Sequence, residues 1–189
     1  MVGAVVAGVL VPAAPAAAHG DDAPRSTSFR TAVSGVTPPV AGLSVTAVEA
    51  GARLELTNDT GRTVEVLGYS GEPYLEVRPD GTYENVNSPA AYLNRTEAGD
   101  TPVPAQADPA APPQWRLIST DRTVRWHDQR THWMGGGLPA AAAADPSRQH
   151  RIRDWAVPLR QEVRPFEIRG TLDYLPPPNA WLWWIGAML

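Results

Sequence analysis

Residues 125–134 read RWHDQRTHWM and hold two of the chain's four histidines and two of its seven tryptophans. A hairpin with Asp128–Thr131 as its loop would set His127 opposite His132, and directly opposed residues share one face of a sheet. Trp126 and Trp133 would then share the other face, while Arg125 and Met134 would join the histidines. Two imidazoles at cross-strand distance can chelate a transition metal, and a thioether selects Cu(I). The metal set this implies is His127, His132, Met134 and His150, with Asp128 as a further candidate and copper as the cofactor. Cleavage after Ala18 would expose His19 as a new N-terminus, whose amine and imidazole offer a second copper site. The same residues have a plainer use. Hydrogen bonds and arginine stacking can hold a His/Trp pair in a structural or partner-contact role, and that reading is preferred over copper.

Other chemistry is thinly represented. Cysteine is absent, which removes disulfides, thiolate zinc sites and thiol nucleophiles together. No G-x-S-x-G, H-E-x-x-H, P-loop or dinucleotide fingerprint occurs. Asp128 and Asp154 can orient a histidine, but no motif supplies a nucleophile. Glu72 and Glu76 form a carboxylate pair of the kind common on exposed strands, too little for glycoside hydrolysis. The chain is therefore expected not to be an enzyme. It has 16 basic residues, all arginine, against 20 acids and a net charge of -4, which argues against nucleic acid. The stretch Gly68–Asn94 carries Tyr69, Tyr74, Tyr83 and Tyr92 among Asn, Pro and Gly. It reads as a surface for a glycan or an envelope protein, or as turn chemistry with tyrosines packed at corners.

The elements that must position these groups are strands. With 20 Pro and 16 Gly in 189 residues, short elements joined by turns are favoured over a helical bundle. Leu43–Glu49 and Ala52–Thr57 alternate around Ala50-Gly51, a hairpin in which Leu54 and Leu56 face one way and Arg53 and Glu55 the other. Thr63–Gly68, Glu72–Val77 and Thr82–Val86 follow as strands, with the last two pairing. After a Pro/Ala-rich segment, Trp115–Ser119, Thr123–Asp128, His132–Met134, His150–Leu159 and Phe166–Leu175 read the same way. The run Ala140–Ala144 has room for about one helical turn between its flanking prolines. The fold expected is all-β, an immunoglobulin-like β-sandwich in two halves, 37–104 and 115–178, with a linker at 105–114. Residues 37–104 hold four arginines against ten acids, and 115–178 ten arginines against seven. Either the halves attract each other or the second lies beside a polyanion such as lipid headgroups.

The ends read as delivery and tethering. Val2–Val11 is apolar and Ala16–Ala18 supplies an A-x-A pattern, so 1–18 is expected to be a signal peptide cut short at its start. Residues 19–36 look like a flexible arm. The segment 179–189, AWLWWIGAML after Asn179, reads as the start of a transmembrane helix with interfacial tryptophans.

The phrases GYSGEPYLEVRPDGTYENVNSPAAYLN, VRWHDQRTHWM and HRIRDWAVPL resemble those of a group of exported, membrane-anchored actinobacterial β-rich envelope proteins. The resemblance covers most of residues 37–185. It implies an envelope location and carries no activity or site residue. The function expected is a non-enzymatic exported protein at the outer face of the cytoplasmic membrane, binding or scaffolding an envelope protein or glycan; the alternative is an exported copper-binding protein.

Overall fold

A computed structural model describes residues 28–177. Alternation decides the local structure. In RLELTN, Leu54, Leu56 and Asn58 are buried and the residues between them are not, which makes β3 (Arg53–Asn58) a strand with one face inward. The same period runs through β2 (Leu43–Val48), β4 (Val64–Leu67), β5 (Pro73–Arg78) and β6 (Gly81–Asn85). It continues in β7 (Trp115–Ser119), β8 (Thr123–Trp126), β9 (His150–Gln161) and β10 (Arg164–Tyr174). Two short helices, α1 (Ala90–Leu93) and α2 (Ala140–Ala144), lie in the connections. Residues 105–114 form turns without a regular element, tied back to β6 by the Gln114 N–H on Asn85 Oδ1 at 2.9 Å.

One strand stands where an arm was expected. Residues 29–36 belong to β1 (Phe29–Thr37), which pairs antiparallel with β10. The register shifts between Val33 and Gly35, and such a bulge breaks the period-two pattern that a strand would otherwise display. The signal-peptide, N-terminal-arm and transmembrane-helix expectations for 1–27 and 178–189 lie outside the described residues. Among the described residues no helix is long and apolar enough to cross a membrane.

The strands make two antiparallel sheets, β1-β10-β9-β4-β5-β6-β7 and β2-β3-β8. Both sheets take strands from each side of residues 105–114, so the stretches 37–104 and 115–178 do not fold apart. β4 pairs with β9, β6 with β7 and β3 with β8. The uneven charge follows these pairings. Arg116–Glu84, Arg125–Glu55 and Arg160–Glu65 are each 2.5 Å ion pairs between neighbouring strands of the two stretches, and Arg122–Asp59 is a fourth at 3.2 Å. Such exposed pairs contribute little stability individually, but they favour the observed neighbours over mismatched ones.

One hydrophobic core lies between the sheets. Leu54, Leu56 and Val124 enter it from the smaller sheet and Val66, Val157 and Ile168 from the larger. Each buried aliphatic side chain contributes roughly 1.5–3 kcal/mol. Trp155 closes one end by lying over Gly170, its cross-strand partner. A Cβ on Gly170 would come within 2.1 Å of the indole and 2.3 Å of the Ala32 carbonyl oxygen, so only glycine fits there.

Candidate functional site

β8 ends at Trp126, and the residues after it do not return as a strand. Asp128 is fully buried, and its carboxylate caps a single 3₁₀ turn, Gln129–Thr131, by accepting from the Arg130 N–H at 3.1 Å. It also accepts from Arg130 Nε and Nη2, each at 2.7 Å, and from Trp126 Nε1 at 3.1 Å. Burial alone would lower the Arg130 pKa, but the Asp128 carboxylate more than offsets it and the group is held above its usual range. Arg130 also donates to the Leu67 carbonyl at 3.1 Å and lies over the Tyr69 ring at 4.9 Å. The expected hairpin at 128–131 is thus a capped turn, and His132–Met134 is not a strand. Asp128 captures the chain before it can pair with β8, which pairs with β3 instead.

The turn still brings two of the four proposed metal ligands together. His127 Nδ1 lies 2.8 Å and His132 Nε2 3.1 Å from the same acceptor, the Ala52 carbonyl oxygen. Arg53 Nε donates to His127 Nε2 at 3.0 Å. A guanidinium can only donate, so Nε2 is the acceptor nitrogen and Nδ1 carries the hydrogen given to Ala52. Both nitrogens of His127 are spent. His132 Nδ1 faces Glu97 Oε1 at 3.7 Å. Burial pushes the His132 pKa down and the neighbouring His127 adds to this, against Glu97, which opposes it. His150 and Met134 are used elsewhere. His150 Nε2 is 2.7 Å from the Asp145 carbonyl oxygen, with its ring beside Tyr174, and the Met134 side chain is exposed. Among the described residues no three His, Asp or Glu side chains group as a metal site. The two tryptophans also part: Trp126 is buried, while Trp133 stacks on Phe29 with ring centroids 6.2 Å apart.

The tyrosine-rich stretch folds largely inward. Tyr69 donates to Asn94 Oδ1 and accepts from the Gln129 N–H at 3.0 Å. Burial, with Asp128 nearby, pushes its pKa up to about 12, so it remains a protonated donor. Tyr74 is buried and pushed up further by the same desolvation. The Tyr92 hydroxyl donates to the Val86 carbonyl at 3.1 Å, and the Tyr83 hydroxyl to Asp80 at 3.0 Å. Glu72 and Glu76 serve different ends. Glu72 is buried and accepts from Ser88 Oγ at 2.6 Å and the Ser70 N–H at 2.9 Å, stapling the turn before β5 to α1. Glu76 pairs with Arg78 at 2.5 Å.

Two cavities flank the histidine pair. A small one, about 70 Å³, borders His132, Glu49 and Glu97. A larger one, about 240 Å³, opens on the His127 side between the sheets. Tyr74 and Leu75 of β5, Glu84 of β6 and Ile118 of β7 form one wall; Val124 and Trp126 of β8 and Arg53 of β3 form the other. Asn94 and Arg95, just after α1, close one end. Neither Asn94 nor Arg95 was singled out in the sequence, because no spacing marks them; their place depends on the contact between Tyr69 and the end of α1. Comparisons with protein-family models, curated proteins and solved structures find no match for this chain.

Proposed function

We propose that the chain is a non-enzymatic, exported protein of the cell envelope, tethered at the outer face of the cytoplasmic membrane by the segment from Asn179, whose β-rich body works by binding a partner. The observation that carries the choice of binding over catalysis is the commitment of the buried titratable groups to one another. A general base needs a free lone pair facing a substrate. Both nitrogens of His127 are engaged, Asp128 receives four hydrogen bonds, and Glu72 is held by Ser70 and Ser88. Delivery and tethering are supported by the apolar run Val2–Val11, the Ala16–Ala18 pattern and the tryptophan-rich tail. The partner in this reading is an envelope protein or a glycan. An immunoglobulin-like sandwich remains our architectural reading of the two sheets, in a version with seven strands facing three.

Copper binding is a second reading. The convergence of His127 and His132 on one oxygen favours it. The Arg53 hydrogen bond on His127 Nε2 opposes it, since a cation would have to displace a guanidinium.

Cell fractionation of the full-length protein with protease added outside intact cells tests the main reading. Recovery in the membrane fraction with external degradation is the expected result. Recovery only from culture supernatant, or protection from the protease, would overturn it.

A further inference from the structure

The 240 Å³ cavity holds a donor with nothing to bond. Asn94 is 5% exposed, and its Oδ1 accepts from Tyr69, but its Nδ2 has no partner in hydrogen-bonding geometry. The Tyr74 hydroxyl lies close enough to feel that amide. Leaving a buried amide N–H unbonded costs roughly 1–3 kcal/mol, a cost that a bound acceptor would remove.

The charge around the cavity says what kind of acceptor. Three arginines line it, Arg53, Arg95 and Arg125, with one acid, Glu84. Arg125 is paired with Glu55, Glu84 with Arg116, and Arg53 with Glu49 at 3.5 Å. Arg95 differs. Its Nε donates to the Ala91 carbonyl at 3.2 Å and its guanidinium lies over the Tyr92 ring at 4.8 Å, but among the described residues it has no carboxylate partner. One uncompensated positive charge calls for a monoanion, where a phosphate dianion would be left half neutralised. The remaining walls, Leu75, Ala91, Val124, Ile118 and Trp126, are apolar or aromatic. The volume lies below the roughly 300–1,000 Å³ of sites for drug-sized molecules.

We propose that this cavity binds a small monocarboxylate with an apolar body, its carboxylate taken by Asn94 Nδ2 and Arg95 and its body lying along Leu75, Val124 and Trp126. The proposal rests on reading the chain as a binding module and names the ligand class that module takes. Two strands from each side of the Pro/Ala-rich segment build the walls, so the site exists only in the whole chain.

The test is calorimetric titration of the full chain with benzoate, benzyl alcohol and inorganic phosphate. Saturable benzoate binding is expected, with benzyl alcohol at least about tenfold weaker, the share of one charge-assisted hydrogen bond. Arg95→Gln, at an exposed position, should weaken benzoate about tenfold, and Ile118→Trp, at the exposed rim, should block it. Arg164→Gln removes the same charge from an exposed position outside the cavity lining and should leave binding unchanged. No saturable benzoate binding by the folded chain would overturn the proposal. So would equal binding of benzyl alcohol, tighter binding of phosphate, or an equal loss in Arg164→Gln. Failure of the site shows in this titration, whereas failure of the tethered-ectodomain reading shows in fractionation, so the two are distinguishable.

Discussion

The Ala52 carbonyl oxygen takes hydrogens from two histidines five residues apart, and this sharing sets the protonation of the pair. His127 is fixed as the Nδ1–H tautomer by Arg53. His132 is buried beside it, within reach of Glu97, and its pKa is lowered chiefly by desolvation. The sign of the resulting pH dependence follows. An unfolded chain binds a proton on His132 near pH 6.5, at the usual imidazole value, while the folded chain binds it only at lower pH. Between those two points the unfolded state holds more protons, so stability rises with pH. Acidifying from pH 7.5 to 5.5 is therefore expected to lower the melting temperature, and His132→Gln should flatten the slope. A wild-type profile that is level or rises on acidification would contradict the burial assigned to His132. The histidine pair was legible in the sequence because both residues flank one short turn. Their shared acceptor was not, since Ala52 lies some 75 positions earlier on another strand. Asn94 was also invisible, because an asparagine after a four-residue helix carries no signal until Tyr69 orients it.

Among the elements, strands were read best where one face is buried without interruption, as in β3 and β4, because a period of two is local information. β1 was missed because its bulge at Val33–Gly35 interrupts that period. The segment 132–134 was misread for the opposite reason: HWM looks like a strand, but the buried cap on Asp128 commits the chain to a 3₁₀ turn first. That turn is expected to depend heavily on one carboxylate. Asp128→Asn keeps the size but loses the charge facing Arg130, which is 19% exposed in its side chain. Breaking a buried pair on one side costs roughly 3–5 kcal/mol, and the adjacent β8 should loosen with it. Urea unfolding measures this, and a cost below about 1 kcal/mol would mean that the pair behaves like an exposed one and does not hold the turn.

At the scale of the molecule, ten strands from both sides of a Pro/Ala-rich segment interleave into two sheets around one core. Composition and alternation point to a β protein, but they carry no information on which strands pair across more than 60 positions. The uneven charge was the one long-range hint, and it resolves into ion pairs between neighbouring strands of the two stretches. The candidate cavity depends on this interleaving, since its opposed walls come from β3, β5 and β6 on one side of the segment and β7 and β8 on the other. A chain cut at residue 108 tests the arrangement most directly. Expressed separately, residues 28–108 and 109–177 are each predicted to lack the dispersed amide NMR spectrum of a folded β protein, because β1, β3, β4 and β6 all lose partners. Mixed together, they are predicted to recover it. A dispersed spectrum from either piece alone would mean that the two stretches fold independently, and the shared core and the cavity between the sheets would go with it.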